Sequence, residues 1–238
     1  LSFFLLTNKQ FIMKKLQFIP IFLSSILAFS CKNETVEDPL ISNCGTVTDI
    51  DGNVYNTVTI GTQCWMAENL RTTRYNNDSL ITNVTNNSTW AALRKGAYCV
   101  YDLDPGNGAT YGKLYNWYAV KTGKLAPVGW HIPTKAELSI LITYLGGENI
   151  AGGKLKSINL WNSPNSGATN SSGFTGLPSG VRYGDGSFNL IGSDGYFWTS
   201  TENTTYSAFE CGLSSSNSNA YNSALSTVCG LSVRCIKD

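Results

Sequence analysis

Residues 127–147 read Pro127-Val-Gly-Trp-His-Ile-Pro-Thr-Lys-Ala-Glu-Leu-Ser-Ile-Leu-Ile-Thr-Tyr-Leu-Gly-Gly147. Thr134 and Glu137 have the spacing of a capping box, in which each side chain satisfies an orphan amide of the first helical turn. Leu138, Leu141, Ile142 and Leu145 then recur at i, i+3, i+4 and i+7 and form one apolar stripe. Gly146-Gly147 stops the run. A helix that buries one face is therefore fixed in the middle of the chain, and the question becomes what it packs against.

Upstream, residues 47–60 read as two strands around Asp51-Gly52, a dipeptide suited to a tight hairpin turn. Trp65, Met66 and Leu70 are core candidates. Residues 88–96 suggest a short helix with a Ser cap and a Gly stop, and Leu114, Trp117 and Tyr118 suggest a helix face over 111–120. Downstream, 162–195 is rich in Gly, Ser, Asn and Pro, with short apolar anchors, and is expected to be a long irregular loop region. The last forty residues alternate in four short segments, 196–201, 207–213, 220–225 and 230–236, which predict an antiparallel meander. Helices followed by strands predict an α+β domain.

At the other end, Lys14 and Lys15 precede an apolar run of about 15 residues, the layout of a secretory signal. The run is short of the ~20 residues needed to span the bilayer core. Residues 1–30 are expected to be a signal peptide, with Met13 as the expected start. Cys31 follows, with Ser30 and Ala28 before it, and is expected to be the lipidation site of an outer-membrane lipoprotein facing the cell surface. Residues 31–43 would form a charged tether and 44–238 the folded domain. Six cysteines remain: Cys44, Cys64, Cys99, Cys211, Cys229 and Cys235. In an oxidising compartment an even number suggests three bridges, with 15 possible connectivities. With one histidine and no C-x-x-C pair, a zinc site is not expected.

Removing 1–30 deletes three lysines and no acid, so 14 basic and 16 acidic side chains remain. No basic field exists for nucleic acid. Charged residues make up only 14% of the chain, so its surface must be solvated largely by hydroxyls and amides, with aromatics interspersed.

Six blocks carry a family resemblance: Asp49-x-Asp-Gly-Asn-x-Tyr55, Ile60-Gly-Thr-Gln-Cys-Trp-Met-Ala-Glu-Asn-Leu70, Gly112-Lys-Leu-Tyr-Asn-Trp-Tyr-Ala-Val120, Pro127-x-Gly-Trp-His-Ile-Pro-Thr-x-x-Glu137, Phe197-Trp-Thr-Ser-Thr-Glu202 and Ser232-Val-Arg-Cys-Ile-Lys-Asp238. In this order they resemble the Fibrobacter succinogenes major paralogous domain. The resemblance implies a secreted or lipid-anchored protein of the Bacteroidetes type with a C-type-lectin-like fold, distantly similar to formylglycine-generating domains. It transfers no site. The Glu-Pro-Asn and Trp-Asn-Asp motifs of calcium-dependent lectins are missing, and Cys229 and Cys235 lack the sequence context of a formylglycine-generating pair.

The remaining chemistry is sparse. His131 would have to serve any Ser-His-Asp triad, and no nucleophile elbow accompanies it. Asp49/Asp51/Asn53 and Asp102/Asp104/Asn107 suggest calcium loops only faintly, and turn chemistry is the better expectation. Glu202 and Glu210 are the acids available for glycoside hydrolysis. Tyr183, Asp185, Asn189, Tyr196, Trp198, Tyr206 and Tyr221 fall in or beside the irregular region and the last strands. They are the expected aromatic and amide surface for a glycan or surface-protein ligand. The expected function is a non-catalytic binding or adhesion module without cofactor or metal. An enzyme of oxidase or hydrolase type and a structural subunit of a surface assembly are the alternatives.

Overall fold

The computed structural model describes residues 42–238. The expected leader, Cys31 and the tether up to residue 41 lie outside the described residues. In chain order the elements are β1 (Thr46–Thr48), β2 (Val54–Ile60), β3 (Gln63–Met66), β4 (Thr82–Asn83), α1 (Asn87–Ala91), β5 (Ala97–Cys99), α2 (Pro105–Tyr111), β6 (Leu114–Asn116), α3 (Trp117–Lys121), β7 (Trp130–His131), α4 (Lys135–Tyr144) and α5 (Glu148–Leu155). The rest is strand: β8 (Ser179–Arg182), β9 (Phe188–Ile191), β10 (Asp194–Thr204), β11 (Ser207–Ser214), β12 (Ala220–Ser226), β13 (Gly230–Leu231) and β14 (Ile236–Lys237). The class is α+β, as the sequence predicts.

Two sheets organise the domain. One has the order β1-β2-β3-β14-β7; the other runs β12-β11-β10-β8-β13-β6-β5-β4, with β9 paired to β8. The C-terminal stretch serves both, since β13 lies between β8 and β6 whereas β14 lies between β3 and β7. The fourth predicted strand, 230–236, therefore does not extend the meander. It breaks at 232–235, and its two ends join different sheets.

Strand alternation sets up two of the three core clusters. On β2, Tyr55 points into one cluster, while Val58 and Ile60 point into the other. On β10, Trp198 joins the first cluster and Phe197 the second. The apolar stripe of α4, with Leu138, Leu141 and Ile142, closes the second cluster together with Ala151 and Leu155 of α5. α4 begins on the expected capping box: Thr134 Oγ1 accepts from the Glu137 amide, and Glu137 accepts from the Thr134 amide at 2.8 Å. A third cluster gathers Trp90, Cys99, Tyr101 and Leu114.

Two helix boundaries differ from the sequence reading. The helix expected over 111–120 starts only at Trp117, because Asn116 Oδ1 accepts from the amides of both Ala97 and Ala119 and so acts as an N-cap bound to the neighbouring strand. Leu114–Asn116 is consequently strand. The first short helix is capped by Asn86 and not by Ser88.

The region expected to be irregular over 162–195 contains the paired strands β8 and β9, and buried cations that bind backbone carbonyls tie the remaining irregular segments to the rest of the domain. Lys156, with no exposed surface, donates from Nζ to the carbonyls of Ser166, Ser214 and Asn217 at 2.8–2.9 Å. Arg234 donates to Asn69 Oδ1 and to the carbonyls of Met66, Phe174 and Thr175. Arg182 likewise reaches the carbonyls of Val84, Thr85 and Gly186 and stacks on Trp90 at 4.4 Å. A loop without regular ladders still must satisfy its carbonyls, and these cations do so from inside. Burial pulls the Arg234 pKa down to about 9 and that of Lys156 to about 8.

Candidate functional site

The meander β10-β11-β12 presents a face made of even-numbered residues on β10 and β11 and odd-numbered residues on β12. Its rows are set by register. Trp198, Glu210 and Ser223 stand side by side, as do Tyr196, Gly212 and Tyr221, and then Asp194 and Ser214. At the Trp198 end the face is core. Trp198 is fully buried and donates Nε1–H to the Tyr115 carbonyl at 2.8 Å, so its expected role in ligand contact is corrected to packing. Toward Asp194 the face opens into a cleft of about 350 Å³ lined by Asp194, Tyr196, Gly212, Ser214, Asn217 and Tyr221, among others.

In the middle row a glycine stands between two tyrosines. Neighbouring strands are ≈ 4.7–4.9 Å apart, so the strands bearing Tyr196 and Tyr221 are separated by about 9–10 Å across Gly212. Gly212 brings no side chain between them, which leaves a slot between the two tyrosines; Gly212 itself is buried, with the Tyr196 ring against it, since a Cβ there would stand 3.4 Å from that ring. Tyr221 is 43% exposed, and Tyr196 is half-buried.

The next row holds Glu210, which is fully buried. Its Oε1 accepts from the Ser223 hydroxyl, and its Oε2 has no partner. Burial pushes the Glu210 carboxyl up to about 7, with the Ser223 hydrogen bond opposing that shift. Asp194, in the outermost row, is also raised by burial, against a hydrogen bond from Ser214. Tyr196 is raised by burial and by the two neighbouring acids.

Helix α5 shapes the rim. A Cβ on Gly152 would stand 2.0 Å from the Asn219 carbonyl oxygen, and one on Gly153 would stand 2.3 Å from that of Gly167, so both positions require glycine for the loops to approach. The Gly153 amide donates to Ser218, and Lys156 holds the carbonyls of Ser214 and Asn217. The sequence reading missed Asp194, Gly212, Ser223, Gly152, Gly153 and Lys156. The last three carry a local signal, a Gly-Gly pair inside a helix followed by a buried lysine.

The other predicted residues fall elsewhere. Tyr183 packs partly buried beside the Trp198 cluster. Asp185 closes a turn by accepting from the amide and hydroxyl of Ser187. Asn189 accepts from the Leu190 amide, and Tyr206, 78% exposed, sits at the tip of the β10–β11 hairpin. None of these four lines the cleft.

The residues named for the catalytic alternatives have other partners. His131 Nδ1 lies 2.6 Å from Asp238 and its Nε2 lies 2.9 Å from Glu137, so both ring nitrogens are engaged by acids and none serves a nucleophile. Glu202 pairs with Lys121 at 3.1 Å, whereas Glu210 binds Ser223, so the two acids are committed to different partners. The faint calcium loops are turns. Asp49 accepts from the amides of Asp51 and Asn53, from Asn53 Nδ2 and from the Tyr55 hydroxyl, and Asp104 caps α2 through the Gly106 amide. Among the described residues no cluster of three His, Cys, Asp or Glu side chains is placed to hold a metal.

Among the described residues one bridge forms, Cys44–Cys64. The expectation of three bridges is corrected: Cys99, Cys211, Cys229 and Cys235 are free and buried. They are distributed over all three core clusters, and the two that share one, Cys229 and Cys235, precede strands of different sheets. Burial raises all four thiols, Cys229 to about 11 and Cys99 to about 12, which suppresses the thiolate that redox chemistry needs.

Among the described residues no helix is long and apolar enough to cross a membrane. A family model described as the Fibrobacter succinogenes major domain matches residues 58–237. No curated protein and no solved structure matches the chain.

Proposed function

We propose that this chain, which belongs to the Fibrobacter succinogenes major domain family, is a recognition module that binds a saccharide in the slot between Tyr196 and Tyr221. The observation that carries the reading is the row Tyr196-Gly212-Tyr221, two tyrosines that line the cleft from strands on either side of a residue without a side chain. A sugar ring needs a flat apolar surface for its C–H face and many polar partners at its edge. The slot offers tyrosine rings for the first, and Ser214, Ser216, Asn217 and Ser223 for the second. The cleft is at the lower end of the ~300–1,000 Å³ usual for small-ligand sites.

We read the module as displayed on the cell surface by a lipid on Cys31 and the fold as C-type-lectin-like. The charged and apolar layout of 13–31 supports the first, and the return of the C-terminal strand to pair beside β3 is in keeping with the second. Mass spectrometry of the mature protein from its native envelope tests the anchor, and an unacylated Cys31 ends that part of the reading.

A glycan array followed by calorimetry on the best binder tests the slot. Tyr221→Ala, at an exposed position, is expected to weaken binding about tenfold, the equivalent of ~1.4 kcal/mol of lost stacking. Binding that is undiminished in Tyr221→Ala and in Gly212→Val refutes the slot.

A further inference from the structure

We propose that the saccharide taken by the Tyr196–Tyr221 slot carries a free amino group, bound as an ammonium in the field of Asp194 and Glu210. This inference rests on the saccharide reading and specifies its chemistry. The two acids bracket the slot, Asp194 one row outward from Tyr196 on β10 and Glu210 one row inward from Gly212 on β11. Asp194 lines the cleft itself. Glu210 lies beneath it, fully buried with an unpartnered oxygen. A Cβ built on Gly212 would stand 3.5 Å from that Oε2 and 3.4 Å from the Tyr196 ring, which places the orphan oxygen beside Gly212, next to the Tyr196 ring that lines the cleft.

No basic side chain lines the cleft to answer these acids. Lys156 stands behind the rim with its ammonium committed to three carbonyls. Lys121 is paired with Glu202, and Lys135 lies over the Phe209 ring, on the other face of β11. Burial raises the pKa of Glu210 and of Asp194, and no nearby cation lowers either. Asp194 stands at the slot without a counter-charge and Glu210 keeps its proton up to about 7, so a ligand that brings a positive charge is attracted by the first and favours ionisation of the second. A charge-assisted hydrogen bond is roughly twice as strong as a neutral one. A uronate or sulfated sugar would instead meet like charge.

The test compares three probes by calorimetry near neutral pH: β-linked glucosamine oligomers, N-acetylglucosamine oligomers of equal length, and oligogalacturonate. The free-amine oligomer is expected to bind about tenfold tighter than its acetylated counterpart, with no detectable binding of the uronate. Asp194→Asn should bring that ratio toward one with the circular dichroism spectrum unchanged, and Glu210→Gln should do the same. Equal affinities, or a ratio that survives Asp194→Asn, overturn the amine assignment. The saccharide slot itself stands in that case if Tyr221→Ala still weakens binding of the acetylated oligomer. Binding of none of the three probes also overturns the amine assignment, and the glycan array then decides the slot separately.

Discussion

Asn69 and Arg234 are 165 positions apart in sequence and meet through a buried 2.7 Å hydrogen bond, with Arg234 Nε donating to Asn69 Oδ1. The same guanidinium serves the carbonyls of Met66, Phe174 and Thr175 and packs on the Phe174 ring at 4.6 Å. It thereby joins the segment after β3, the irregular loop and the C-terminal stretch at one point. Arg234→Leu keeps the packing and orphans four acceptors, each worth ~1–3 kcal/mol when left unpaired. A loss of at least about 3 kcal/mol is expected in urea unfolding, and an unchanged midpoint would show that the loop does not depend on this cation.

The Cys44–Cys64 bridge closes a sequence separation of 20 residues. In the chain-entropy model a loop of this length corresponds to ~3 kcal/mol. Cys44→Ser/Cys64→Ser should lower stability by about that amount without altering the fold. The four free thiols should resist alkylation in the native protein and react only after denaturation, since each is buried and protonated. Alkylation of any of them under native conditions would contradict their placement.

The imidazole of His131 bridges Glu137 at the start of α4 and Asp238 at the chain's last residue. Burial pulls His131 down, but hydrogen bonds and charge from Asp238 and Glu137 together outweigh it and raise His131 above its ordinary 6.5; burial likewise opposes at Glu137, which its partners hold below 4.5. The raised histidine contributes fully below 6.5 and loses its contribution as pH rises through its folded pKa. The lowered glutamate contributes fully above 4.5 and loses its contribution as pH falls through its own. The cost of His131→Asn should therefore be largest between 4.5 and 6.5 and shrink on either side. A pH-independent difference in melting temperature would mean that the imidazolium is not formed.

Glu210 has the opposite sign. Its folded-state pKa of about 7 lies above the ordinary 4.5, so the folded protein retains a proton that the unfolded chain has released. Stability is greatest below 4.5 and declines as pH rises to about 7. Glu210→Gln is expected to stabilise the domain by about 1–3 kcal/mol above that range and to be neutral in acid. Destabilisation at every pH would show that the carboxylate is supported by partners the structure does not contain.

Lys156 and Gly152 position the cleft rim from behind. Lys156→Met should cost about 2–4 kcal/mol through three orphaned carbonyls. Gly152→Ala, which forces a Cβ against the Asn219 carbonyl, should speed amide exchange in 214–219 and weaken ligand binding while α5 persists. Unchanged exchange there would disconnect the helix from the site.

What could be read in the sequence was local. The Thr134–Glu137 box, the Asp51-Gly52 hairpin and the three long segments of the meander each depend on residues a few places apart, and each is found in the structure. What could not be read was cross-chain. Asn116 begins a helix because Ala97 lies beside it, Trp198 is core because Tyr115 accepts its N–H, and Gly212 separates two tyrosines only once register sets it between Tyr196 and Tyr221. Counting cysteines gave parity and could not give distance, so the three-bridge expectation failed where thiols were distributed over separate clusters.

Lys156, Arg182 and Arg234 grip main-chain oxygens almost exclusively, and a carbonyl is the same atom whatever residue bears it. Side chains at Ser166, Ser214, Asn217 and Thr175 can thus be exchanged without loosening the grip. Such a scaffold separates what holds a loop from what the loop displays.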